Sequence, residues 1–158
     1  MCEYCGCQDV TAIEDLTREH DEVVGLMSYV RAAYAAGDIE AMATVSRRIA
    51  DILAPHTAVE EEGLFPLLAD DFPDQIAVLR AEHHHVEHVL AAAATGTPAD
   101  PDWPAALLEV LQDLRTHILK EQDGVFPAAL TSLTGSDWDS VDAVRDRVGI
   151  RISPAARP

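Results

Sequence analysis

The sequence predicts an all-α protein, an up-down-up-down four-helix bundle with a short C-terminal fifth helix. Three observations carry that prediction. Apolar residues recur three and four apart along four long stretches, which is the stripe of a helix facing a core. Turn-forming residues interrupt those stretches at short intervals, as the connections of an antiparallel bundle require. The chain also repeats itself: HTAVEEEGLFP, residues 56–66, returns sixty-one residues later as HILKEQDGVFP, residues 117–127. No stretch of useful length alternates apolar and polar residues as a strand would.

In the first helix the stripe is Ile13, Leu16, Val23, Met27, Val30 and Tyr34, regular once position 20 is included. The helix is expected to end near Gly37, with Asp38 capping the next. The second stripe runs through Ile39, Met42, Ser46, Ile49 and Leu53, then positions 56, 60 and 63. Pro55 within it should bend the helix or open a backbone hydrogen bond. FPLLADDFPD, residues 65–74, breaks the pattern. A third helix begins near Pro73-Asp74, with Ile76, Leu79, Val86 and Leu90 on its stripe. TGTPADPD, residues 95–102, is a loop by composition. Pro101 or Pro104 suits the first turn of the fourth helix, whose stripe is Leu107, Val110, Leu114, then 117 and 121. A short turn is expected after Phe126-Pro127, then a fifth helix over 137–148, and a frayed tail at ISPAARP. The chain thus divides into a Cys-rich segment (1–10), the bundle (11–132) and a short helix with a tail (133–158).

Length and composition set bounds on function. The chain has 158 residues, enough for one domain with a substantial core, and a formal charge of −17. That charge argues against nucleic acid, whose binders need cations to displace counterions from phosphates. No run of apolar residues reaches the length of a membrane span, and MCEYCGCQDV lacks the basic and apolar regions of a secretory signal, so a cytoplasmic protein is expected.

The positions omitted from the apolar stripes are polar. They are His20 in the first helix, His56 and Glu60 in the second, His83 in the third, and His117 with Glu121 in the fourth. Burying such groups without partners costs about 1–3 kcal/mol each. Six of them would consume most of a typical domain stability of roughly 5–15 kcal/mol. A bound metal offsets that cost directly. In each His-x-x-x-Glu the two side chains are stacked on one helix face, where both can reach one ion. Four imidazoles and two carboxylates exceed the needs of one tetrahedral zinc, and no thiolate is among them. Mixed nitrogen and oxygen donors suit iron or manganese, and two carboxylates can bridge two ions.

His, His-x-x-x-Glu, His, His-x-x-x-Glu, with Phe-Pro closing the second and fourth helices, resembles the hemerythrin-like, HHE cation-binding domain over roughly residues 11–132. The resemblance implies a non-haem di-iron centre of two iron ions, oxo- or hydroxo-bridged, held by His20, His56, Glu60, His83, His117 and Glu121. Glu60 and Glu121 would bridge, and an open position would accept O2, H2O2 or NO. The chain departs from the oxygen-carrying members in two places. Leu79 stands where they have a fifth histidine, and Glu121 follows its histidine by four residues where they have an aspartate at five. Both departures point to the bacterial HHE group rather than to a reversible oxygen carrier. The expected functions are small-oxidant handling, including catalase-like peroxide decomposition, or an iron- or oxygen-responsive sensor or iron storage and donation module without turnover.

Two features stand apart. His83 continues the stripe and copies the Glu-His context of His20, whereas His84 and His88 form a pair on a neighbouring face and are expected as a polar flank. Glu61, Glu62 and Asp123 follow the carboxylates as solvated or supporting groups. Cys2, Cys5 and Cys7 are an odd number, which disfavours a simple disulfide framework. A partial metal site, a redox dithiol and a merely reactive terminus all remain open readings of that motif.

Overall fold

The computed structural model describes residues 10–153. Among these residues the structure is helical and has no strands. Helix α1 spans Val10–Ala35. Helix α2 (Ile39–Ala58) passes through a π-helical turn, Val59–Leu64, into α3 (Phe65–Leu68). Helix α4 is Pro73–Ala91. Helix α5 (Trp103–Lys120) likewise passes through a π turn, Glu121–Val125, into α6 (Phe126–Ser132). Helix α7, Gly135–Val148, packs on the first π turn and on α1 and α2. No helix of the described residues is long and apolar enough to cross a membrane.

The punctuation follows from local chemistry. After α1, Gly37 takes a φ of +69°, a left-handed conformation that costs glycine little, and Asp38 accepts a hydrogen bond from the Ala41 amide at 2.9 Å. Thr134 and Asp137 form a reciprocal capping box at the start of α7. Pro104 lies in the first turn of α5, where a missing N–H is not needed.

Three expectations are corrected. The chain does not leave the helix at either Phe-Pro: both rods continue, through α3 and through α6. Each proline falls at the start of the new α segment, just past a π turn, where its lack of an N–H breaks no α-helical bond of the preceding turn. The tail is not frayed as far as Ser153. Ile152 is buried in the core, and the carbonyls of Arg151 and Ser153 accept hydrogen bonds from Arg48 and Arg18. Tyr34 is 45% exposed, so the α1 stripe ends at Val30. Helix α2 runs through Pro55 unbroken.

The core is two apolar clusters with a polar layer between them. Val23, Ile49, Leu53, Val86, Leu114 and their neighbours form one cluster. Leu16, Leu64, Phe65, Leu79, Phe126 and Trp138 belong to the other. Leu16 and Val23 flank His20 in sequence, and Leu79 and Val86 flank His83, so the histidines fall at the boundary between the two clusters.

Candidate metal centre

All six stripe residues converge at that boundary. His20, His56, Glu60, His83, His117 and Glu121 are buried, at most 5% exposed. Their donor atoms form two groups, His20–His56–Glu60–Glu121 and His83–His117–Glu60–Glu121, each within 4.8 Å throughout. Both carboxylates belong to both groups. Glu60 turns Oε1 toward His56 Nε2 (3.2 Å) and Oε2 toward His83 Nε2 (3.2 Å). Glu121 Oε1 lies 3.0 Å from His117 Nε2 and 3.3 Å from His20 Nε2.

These distances discriminate between a self-satisfied polar core and a metal cage. They are short enough for ion pairs, yet both oxygens of Glu60, both oxygens of Glu121, both nitrogens of His20 and Nε2 of His117 have no hydrogen-bond partner. The lone pairs are close without being aimed at one another. Donors about 2.1 Å from a common ion lie at most about 4.2 Å apart. The five Nε2–Oε distances, 3.0 to 4.0 Å, fall within that limit. The residues therefore fit metal ions in their midst, which would satisfy atoms that the protein leaves orphaned.

The π turns place the carboxylates. Glu60 is the second residue of its turn and Glu121 the first of its own, and their carbonyls accept from the amides of Phe65 and Phe126, five residues on. The same turns bring those phenyl rings onto imidazoles of the opposite hairpin. Phe65 stacks on His83 (5.7 Å between centroids, 9° between planes), and Phe126 stacks on His20 (5.6 Å, 11°). Pro66 cannot donate to the carbonyl of Glu61, which accepts instead from Arg80 Nη2 at 3.1 Å.

Around this layer lies a second set of carboxylates. Glu19 accepts from His56 Nδ1 at 2.8 Å and is itself held by both Nη atoms of Arg145 at 2.8 Å. Glu61 accepts from His83 Nδ1 at 2.9 Å. Glu82 faces His117 Nδ1 at 3.3 Å and pairs with Lys120 at 2.6 Å. A carboxylate on Nδ1 fixes the ring and keeps Nε2 as the metal-facing atom. His20 has no such support. Gln122 stands five residues past His117 where Glu61 stands five past His56, and His20 Nδ1 has no partner. The two halves are alike in fold and unlike in this outer chemistry.

Electrostatics follow from the same contacts. Burial disfavours charge on His56, but the Glu60 carboxylate and the hydrogen bond to Glu19 outweigh it and raise the pKa to about 10. His83 is likewise raised, to about 9, against burial, by Glu60 and Glu121 and by its bond to Glu61. Burial alone would raise Glu60; the charges of His56 and His83 hold it well below the usual carboxylate range. Glu19 is lowered, against burial, by His56 and Arg145. These shifts set protonated imidazoles of His56 and His83 against the ionised carboxylate of Glu60.

The stripe positions are legible in the sequence, but five supporting groups are not. Glu19 and Glu82 appear as the repeated Glu-His, a signal that could have been read as a carboxylate behind each neighbouring ring. Arg145 lies 126 residues from Glu19, and nothing local announces it. In the sequence Phe65 and Phe126 stand out only as part of the closing Phe-Pro, since stacking on a distant imidazole leaves no local mark. His84 is exposed and lies 3.8 Å from Glu87, and His88 is exposed too, so neither enters the layer. Leu79 packs in the apolar cluster, with no histidine in its place. Glu62 and Asp123 are exposed, Glu62 pairing with Arg147. Cys2, Cys5 and Cys7 lie outside the described residues.

Comparison with known proteins gives one match: the family model described as hemerythrin HHE cation binding domain covers residues 11–129. Neither the curated proteins nor the solved structures yield a match.

Proposed function

The chain belongs to the hemerythrin HHE cation-binding domain family, and on that premise we propose that it holds two iron ions and binds or processes O2, hydrogen peroxide or nitric oxide. The observation that carries the proposal is the sharing of Glu60 and Glu121 between two histidine pairs, with their buried oxygens unclaimed by any protein donor. One histidine pair for each ion and two carboxylates between them is what a two-ion site needs. Nitrogen and oxygen donors without a thiolate favour iron or manganese over structural zinc. When bound, two adjacent irons supply Lewis acidity and exchange two electrons, the number needed to reduce O2 to peroxide or to disproportionate peroxide.

The chain's own residues set what can reach that layer. Beside the four histidines is a cavity of about 10 Å³, walled by Leu53, Val86 and Leu114, with Thr57 and Glu87 as its other lining residues. That volume suits one water-sized or diatomic molecule and excludes an organic substrate. The apolar wall keeps bulk water from the layer, and Glu19, Glu61 and Glu82 keep three imidazoles oriented.

Metal analysis with the visible spectrum of aerobically purified protein tests the reading. Two irons per chain are expected, and one zinc per chain would overturn it. Oxygen evolution on adding peroxide, abolished in Glu60→Ala and His117→Ala, would establish catalase-like turnover. A second reading is an iron- or oxygen-responsive sensor or storage module. It is supported by the orphaned donors, which tie the stability of the bundle to metal occupancy. A large metal-dependent melting shift without turnover would select it.

A further inference from the structure

The two hairpins are related by a repeat, yet among the described residues only one carries a helix on its outer side. Helix α7 lies on the first π turn so closely that a Cβ on Gly63 would come 3.3 Å from Val141 Cα. Three contacts define how it docks. Trp138 and Val141 enter the apolar cluster, Arg145 grips Glu19, and Arg147 pairs with Glu62 at 2.6 Å. Each bundle-side element of that interface recurs in the second half. Gly124 stands seven residues past His117 as Gly63 does past His56, Asp123 stands six past as Glu62 does, and Glu82 precedes His83 as Glu19 precedes His20.

In the second half no helix of the described residues fills the place. A Cβ on Gly124 would meet nothing within 4 Å. A mostly apolar groove of about 540 Å³ opens there, lined by Phe72, Val78, Leu79 and Val125 together with the charged Asp74 and Lys120, the latter already paired with Glu82. Phe72 is 39% and Val78 51% exposed, large side chains left to water. Asp123 is exposed and makes no ion pair among the described residues, and Asp70, Asp71 and Asp74 on the neighbouring segment are exposed as well. Besides His117, Glu82 pairs with Lys120 of the facing helix in its own hairpin, where Glu19 has an arginine from the docked helix.

We propose that this groove docks a cationic amphipathic helix of a partner protein, in the position that α7 takes on the sister groove. The apolar stripe of that helix covers Phe72 and Val78. Its cations, one turn apart or closer as Arg145 and Arg147 are, meet Asp123 and Glu82. A helix fits because the same backbone frame already receives one. A cationic helix fits because Arg145 and Arg147 of the sister helix pair with the bundle carboxylates Glu19 and Glu62, and Asp123 with Asp70, Asp71 and Asp74 gives this groove an acidic margin. Docking would bring the partner's charge to Glu82, which backs His117. The inference does not depend on the metal's identity.

The test uses full-length, metal-loaded protein and a synthetic peptide of residues 134–149 carrying Asp139→Lys and Asp146→Lys, a cationic copy of α7. Titration calorimetry is expected to show saturable equimolar binding. Affinity should fall by about tenfold or more in Gly124→Leu, which fills the groove, and in Asp123→Lys, which reverses its charge. Both variants should keep the parent melting temperature, since each changes a position facing open space or solvent. Binding that is absent, or that survives Gly124→Leu unchanged, overturns the proposal. So does binding that appears only when Met1–Asp9 is replaced by a Gly-Ser stretch of equal length, which would make the chain's own terminus the occupant. A dimer that Gly124→Leu dissociates would assign the groove to a second copy, and overturns it too.

Discussion

At His56 the two ring nitrogens do different jobs. Nδ1 is tied to Glu19 at 2.8 Å, and Nε2 faces Glu60 at 3.2 Å. In metal-free protein both carry protons, because two carboxylates raise the pKa to about 10. The sign of the linkage is therefore set. Stability contributed by His56 and His83 is fully present below the unfolded value of 6.5 and disappears as pH rises through about 9 to 10. Glu60, held low, contributes above its ordinary 4.5 and ceases to contribute as pH falls through its depressed value. Thermal melts of chelator-treated protein should accordingly show a falling melting temperature from neutral to alkaline pH. A flat profile there would contradict the assignment. Metal loading must expel the Nε2 protons, so metal affinity should rise over the same interval, as titration at several pH values would show. A second residue-scale prediction concerns Arg145. Its removal leaves the fully buried Glu19 carboxylate with His56 as its remaining partner, so Arg145→Ala should cost about 1.5–3 kcal/mol in chemical denaturation. The Glu19→Gln/Arg145→Ala double variant should recover part of that loss.

Among the elements, the π turns explain why two prolines sit inside continuous rods. The i+5 bond from Phe65 to the Glu60 carbonyl widens the helix by one residue, and the rod re-forms as α3 with Pro66 in its first turn. A periodicity of 3.6 has no term for that extra residue, so the stripe stops at each Phe-Pro although the helix does not. The sister π turns also predict unlike responses to one substitution. Gly63→Leu must push α7 away from Val141 and should destabilise by about 1–3 kcal/mol. Gly124→Leu meets open space and should stay within about 0.5 kcal/mol of the parent. Denaturant titrations of the two variants side by side would check the contrast, and equal losses would refute it.

For the molecule as a whole, the polar layer between two apolar clusters makes metal content a determinant of stability. The orphaned oxygens of Glu60 and Glu121 must otherwise be balanced by protonated histidines. Adding stoichiometric iron to chelator-treated protein should raise the melting temperature markedly at alkaline pH and less near pH 6.5, where protons already hold the layer. Calorimetric scans with and without metal at the two pH values provide the comparison.

What the amino-acid sequence determined by itself is the set of properties that one helix can encode. Spacing of three and four placed His20, His56, Glu60, His83, His117 and Glu121 on the inner faces. Gly37, Asp38 and Pro104 marked ends because a glycine, a cap or a missing N–H acts on its immediate neighbours. Tertiary structure decided everything that depends on which faces meet. It joined Glu19 to Arg145 across 126 residues and stacked Phe126 on His20. It anchored Ile152 in the core and left one of two sister grooves open. The reason is physical: a helical period is a property of the backbone, whereas a partner is chosen only when rods pack and their side chains compete for the same space.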